Sequence, residues 1–166
     1  MDPLQLLALA REMIEGMGAG APRQVVLRRA VSTAYYAVFH ALLWKIAATF
    51  VPQHLWKSRI LFFRSLDHSR TKERCKRIGR HPLPDAEKEF FEHDGFCEEL
   101  RAFANTFVLL QELRHQADYD PGMKFSKSEA QEAVARAERA VSLLDDGDAN
   151  QTNQFLAYML FGIRSQ

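Results

Sequence analysis

The stretch from Pro22 to about Thr49 constrains the fold most, because Pro22 opens a helix at a favoured first position and no further breaker occurs before Pro52. At about 100° per residue, Ala30, Ala34, Ala37 and Ala41 fall on one smooth stripe suited to close helix contact. Arg29, Ser32, Tyr36, His40 and Leu43 fall in a separate sector, so ionisable side chains lie where a core should be. A second stretch far along the chain does the same: Arg114 lies in line with Phe96, Phe103, Phe107 and Leu110, with Asp118 one turn further on. Burying an isolated charge costs several kcal/mol, so an arginine on that stripe must be paired or must serve a purpose.

The rest of the pattern is helical too. Asp2 caps a first helix with Pro3 at its first position, and Leu4, Leu7, Ala8, Ile14 and Met17 run on until Gly16, Gly18 and Gly20 end it. Residues 53–84 hold one or two shorter helices around Ile60–Phe63 and Leu66–Ile78, closed by Gly79 and Pro82. Asp85–Tyr119 reads as helix with a break at Gly95, and Pro121-Gly122 is a turn. Ser126 and Glu129 form a capping box for a helix through Ala130, Val134, Ala137, Val141 and Leu144. Asp145-Asp146-Gly147-Asp148 ends that helix, and Phe155–Ile163 is a last apolar one. No strand run, hairpin turn pair or Gly-rich phosphate loop occurs, which excludes the usual nucleotide-fold fingerprints. The expected fold is all-α, an up-and-down bundle of four to five helices with a short-helix insertion between the second and third main helices.

At 166 residues the chain is one domain, 1–166, able to bury roughly 70% of its unfolded surface without disulfides or metals. Residues 50–84 form the insertion and 149–166 the C-terminal apolar segment. No apolar run is long enough to span a bilayer, so no membrane role is expected. The start, Met1-Asp2-Pro3-Leu4, has no basic leader or small-residue cleavage site, which makes a cytoplasmic protein the expectation. Cys75 and Cys97 read as plain reduced thiols, and His54, His68, His81 and His93 lack metal-ligand spacing, so neither a metal nor another cofactor is expected. The apolar last segment and the alanine stripe together favour a homodimer.

A net charge of +1 conceals a local asymmetry. From Lys57 to Arg80 nine Lys or Arg residues stand against Asp67 and Glu73, and the following stretch to Glu99 reverses the sign, with seven acidic residues against Lys88. Such neighbours are either a phosphate-binding surface beside an acidic one or two helices that face each other.

The string Ala30-Val31-Ser32-Thr33-Ala34-Tyr35-Tyr36-Ala37-Val38-Phe39-His40-Ala41, followed by Arg114 and then Ala117-Asp118-Tyr119, resembles the HEPN family (higher eukaryote and prokaryote nucleotide-binding domain), and within it the small stand-alone prokaryotic proteins. The two strings cover under a fifth of the chain, and Phe50–Pro84 falls outside the resemblance. The resemblance implies a helical bundle, usually dimeric, with a cleft at or near the dimer interface. Many relatives are metal-independent ribonucleases acting as toxins, often encoded beside a small nucleotidyltransferase that restrains them, and others only bind nucleotides or partners. Their nuclease site is an arginine and a following histidine with four to six residues between them. Arg114 matches the arginine, whereas Tyr119, Asp120 and Pro121 hold the places where the histidine would fall, and His115 points about 100° away along the helix.

Cleaving RNA without metal requires a base for the 2′-hydroxyl, a donor for the charged phosphorane and an acid for the leaving oxygen. Arg114 is suited to clamp a phosphate, being planar and always charged. A tyrosine phenol is only about 0.1% ionised at pH 7 and a poor base, so Tyr119 is better fitted to donate or to orient. His40 is the histidine expected to substitute if its sector meets Arg114. The leading expectation is therefore a protein of toxin-antitoxin or nucleotidyltransferase-associated type that binds RNA or a nucleotide at Arg114, with Asp118, Tyr36, Ser32 and Arg29 in the binding surface. A metal-independent endoribonuclease using Arg114 with Tyr119 or His40 is the second, and a non-catalytic interaction module the third.

Overall fold

A computed structural model of the chain describes residues 1–16, 20, 23–91 and 93–163. Every regular element among them is an α-helix: α1 (Pro3–Glu15), α2 (Gln24–Phe50), α3 (Trp56–Phe62), α4 (His68–Ile78), α5 (Asp85–Lys88), α6 (Glu98–Tyr119), α7 (Lys127–Asp146) and α8 (Ala149–Phe161). The five longest segments outside the insertion, α1, α2, α6, α7 and α8, make the bundle, and α3 to α5 are short helices between its second and third members. Met17, Gly18, Pro22 and Glu92, which entered the expected boundaries and the acidic run, lie outside the described residues.

Local chemistry explains most of the boundaries. Asp2 Oδ1 accepts from the Leu4 amide at 2.9 Å, and Pro3 occupies the first helical turn of α1. Both halves of the Ser126/Glu129 capping box form at the start of α7. The last helix starts earlier than its apolar run, because the Asp148 side chain accepts from the Gln151 amide and caps α8 at Ala149.

The Asp85–Tyr119 helix is not continuous. Among the described residues only Asp85–Lys88 and Glu98–Tyr119 are helical there, and Gly95 between them lies against His81. A Cβ on Gly95 would stand 2.2 Å from His81 Nδ1, so only a residue without a side chain lets the two segments approach this closely. The Leu83 amide donates to the Asp94 carbonyl at 2.7 Å and fixes that turn.

At the centre of the bundle, α2 contacts α1, α6 and α7 along its length and α3 and α8 locally. Its moment as an amphipathic helix is lost because it is surrounded; Ala30, Ala34 and Ala37 are fully buried by the chain's own helices. Phe155, Leu156 and Met159 of α8 are likewise core residues, with Phe161 at the exposed end. Both features that pointed to a homodimer are therefore used inside one chain. Tyr35, Phe103, Phe107 and Phe155 are the largest fully buried side chains, each worth about 1.5–3 kcal/mol of apolar burial.

No described helix is long and apolar enough to cross a membrane. The basic and acidic blocks do not form two facing helices. Arg77–Glu87 is the only ion pair between them among the described residues; Lys72 pairs with Glu112, Lys76 with Glu73 in its own block, and Lys88 with Asp85 in its own. The insertion instead lays α4 along α6, which carries Arg114.

Candidate phosphate-binding site

One side chain locks the two halves of the site together. Arg28, on α2, donates from Nε to the Ala117 carbonyl at 2.7 Å, from Nη2 to Asp120 at 2.8 Å and from Nη1 to Met123 at 3.3 Å. These are the carbonyls that the end of α6 and the turn after it leave without helical partners. One turn earlier Gln24 reads the Phe125 peptide in both directions, donating to its carbonyl at 2.8 Å and accepting its amide at 2.9 Å. The α6 terminus, with Asp118 and Tyr119, is thus held in fixed relation to α2.

Within that frame Arg114 is braced on three sides. Its Nε stands 2.7 Å from Asp118 Oδ2, a charge contact one turn away, although the N–H is not aligned as a hydrogen bond. Its Nη2 donates to the Tyr36 hydroxyl at 3.0 Å and to the Tyr119 hydroxyl at 3.3 Å. The guanidinium carbon lies 5.6 Å from the Tyr36 ring centre and 5.1 Å from that of Tyr119, in cation–π range. Ser32 donates to Asp118 Oδ2 at 3.3 Å and ties the carboxylate to α2. The Arg114 side chain is only 18% exposed, yet Nη1 has no protein partner among the described residues. Burial works against its charge and is outweighed by the Tyr36 hydrogen bond and the Asp118 carboxylate, so its pKa lies above the ordinary arginine value.

Ser32, Tyr36, Arg114, Asp118 and Tyr119 are brought together. Arg29 is exposed and makes no hydrogen bond or ion pair among the described residues. His40 lies a turn beyond Tyr36, edge-on to Phe39 at 6.0 Å, with Nδ1 buried and unpartnered. Burial is the main cause of its lowered pKa. It hydrogen-bonds none of the five.

His68, from the first turn of α4, does stand at this cluster. Its Nδ1 lies 2.7 Å from the Tyr35 hydroxyl, its ring packs at 4.0 Å on Phe39 and 6.0 Å edge-on to Tyr36, and its carbonyl accepts from Gln111 of α6 at 3.0 Å. Burial lowers its pKa, Arg114's charge lowers it further, and Asp67 opposes both. Tyr35 is fully buried, and burial raises its phenol far above the ordinary value, so it stays neutral in that bond. His68 Nε2 has no hydrogen-bond partner among the described residues. Metal-ligand spacing along the sequence gives no sign of His68, because its partners are tertiary and its segment lies outside the family strings.

Next to Arg114, between α4 and α6, opens a cleft of about 510 Å³ lined among others by Ser69, Lys72, Gln111 and His115. Its carboxylates are already engaged, Glu112 with Lys72 at 3.2 Å and Glu73 with Lys76 at 2.9 Å. Tyr119, 62% exposed, stands at the outer edge with the His115 ring 5.2 Å away. No group of three or more metal-ligating side chains occurs among the described residues. A rigid, charged, partly open guanidinium with a neutral imidazole nearby can hold a phosphate and exchange a proton with it.

Compared with protein-family models, with curated proteins and with solved structures, the chain matches none.

Proposed function

We propose that this protein binds the phosphate of RNA or of a nucleotide at the cleft built on Arg114. The observation that carries the reading is Arg114 itself, four-fifths buried, oriented by Asp118, Tyr36 and Tyr119, and left with Nη1 for a ligand. A purely structural arginine would be expected to spend its donors on the fold, as Arg28 does with all three nitrogens. The family strings support the same ligand class and, with it, a nucleotidyltransferase-associated or toxin-antitoxin setting in the cytoplasm, with a homodimer as the usual assembly. Incubating the purified protein with labelled single-stranded RNA and with mononucleotides at low salt tests it. Saturable binding that Arg114→Ala reduces at least tenfold is the expected result; no binding, or undiminished binding in that variant, overturns it.

A second reading, metal-independent RNA cleavage, is favoured by His68 rather than by His40 or Tyr119. His68 can serve as a general base only in the tautomer whose Nδ1–H donates to the Tyr35 oxygen and leaves the lone pair on Nε2. RNA cleaved in the presence of a chelator, with His68→Ala retaining binding and losing cleavage, is the outcome this reading requires.

A further inference from the structure

Along α4 from the Arg114 cleft, and sharing Ser69 and Glu73 with it, lies a second cleft of about 500 Å³ between α4, α5 and α8. Arg70, Arg74 and Arg77 stand on one face of α4 at spacings of four and three residues and all line it. Arg70 has no acidic partner among the described residues, and the side-chain hydrogen bond of Arg74 goes to the uncharged carbonyl of Met159. Burial pushes the Arg74 guanidinium below its ordinary value; Tyr158 opposes that shift and the like charge of Arg70 adds to it. Only Arg77 meets a carboxylate, donating from Nη1 to Glu87 Oε1 at 2.9 Å.

Glu87 is the unusual member. Its side chain is 2% exposed, and Oε1 also accepts from the Tyr158 hydroxyl at 2.9 Å, while Oε2 is buried with no partner. A carboxylate oxygen left without a donor in the wall of a cleft is costly, because its desolvation is not repaid. The cleft therefore offers two guanidiniums without a carboxylate partner, those of Arg70 and Arg74, and a carboxylate oxygen without a donor, Glu87 Oε2; its second carboxylate, Glu73, is paired with Lys76 at 2.9 Å.

We propose that this cleft binds a phosphate monoester whose organic part carries an O–H or N–H donor, the phosphoryl group lying between Arg70 and Arg74 and the donor going to Glu87 Oε2. Guanidiniums match phosphoryl oxygens in charge and geometry, and the volume lies within the range of small-molecule sites. Arg77 and Tyr158 both bond Oε1, so Oε2 is the oxygen left for the ligand's donor. A sugar phosphate and a nucleoside monophosphate both have the required groups. The site shares Ser69 and Glu73 with the Arg114 cleft but uses none of the residues proposed to hold phosphate there, and it does not rest on the function proposed for that cleft.

Titration calorimetry of the full chain at low salt with ribose 5-phosphate, AMP, inorganic phosphate and ribose tests the proposal. At least one of the two esters should bind ten times more tightly than inorganic phosphate, and ribose should not bind measurably; the tighter ester identifies the source. Arg70→Ala, an exposed change that spares the fold, should weaken that ester at least tenfold. Glu87→Gln should bring it to the level of inorganic phosphate, and ester binding at this cleft should persist in Arg114→Ala, the background in which nucleotide binding at the Arg114 cleft is removed. No saturable ester binding, an ester no tighter than inorganic phosphate, indifference to Arg70→Ala, or loss in Arg114→Ala overturns the proposal. Because Glu87 is buried, backbone amide spectra of Glu87→Gln establish that it is folded; if it is not, Arg70→Ala and Arg114→Ala decide the matter.

Discussion

The Tyr35 hydroxyl and His68 Nδ1, 33 residues apart in sequence, lie 2.7 Å apart where the insertion meets the central helix. Tyr35 is wholly buried and His68 partly so, which makes this bond the point at which the insertion is fastened beside Arg114. Tyr35→Phe keeps the ring and removes the bond. It should lower stability by about 1 kcal/mol in denaturant unfolding, and a double-mutant cycle with His68→Ala should show coupling of the same order. Additivity of the two changes would show that the bond contributes nothing.

His40 and His68 both have pKa values held below the ordinary 6.5, chiefly by burial. The unfolded chain then binds more protons than the folded one between the lowered values and 6.5. Stability is accordingly greatest above about pH 6.5 and falls as pH drops through the window below it. Chemical denaturation from pH 7.5 to pH 5 should show this fall. The fall should be smaller in His68→Gln, and NMR titration should place both imidazoles below 6.5; an ordinary or raised value for either removes its share.

Arg28 satisfies three main-chain carbonyls at and after the end of α6. Hydrogen bonds from a charged donor are worth more than neutral ones, and Arg28→Ala should destabilise the protein by about 2 kcal/mol. Arg28→Lys should recover only part of that, since an ammonium cannot span three diverging acceptors as a planar fork does. Full recovery by lysine would mean that charge near the helix end, rather than geometry, is what matters.

Tyr36 orients Arg114 through a 3.0 Å hydrogen bond. Tyr36→Phe keeps the aromatic face and removes one of the two hydrogen bonds that Nη2 donates, so phosphate-ligand affinity should fall by a few fold, against the tenfold or greater loss for Arg114→Ala. Arg114→Lys should resemble alanine more than wild type, because it keeps the charge and loses the fork. Equal affinity of the lysine variant would show that the site senses charge alone.

Most of the fold was legible in the chain. Helical periodicity, the Asp2-Pro3 start and the Ser126/Glu129 box are local signals whose partners lie within one turn, and each forms where its residues require. The boundaries that shifted depend on distant contacts. Gly95 lies in the break of the expected helix, where its missing side chain lets His81 approach, and α8 begins at Ala149 because the Asp148 side chain caps it. The alanine stripe showed that α2 is closely packed, but period alone carries no information on whether the neighbour is another helix of the chain or a second copy.

For the site, sequence by itself determined that Arg114 lies on an inward face with Asp118 one turn on, since i and i+4 share a face on any helix. It also set Tyr36 and Ser32 on one sector of α2. Tertiary structure alone decided which histidine stands near the arginine, His68 rather than His40, and that the basic insertion lies on α6 instead of facing the acidic stretch after it. Neither could be read from spacing, because such contacts join segments whose relative placement is set by packing of the whole bundle and by anchors such as Arg28 on α6 and Tyr35 on His68.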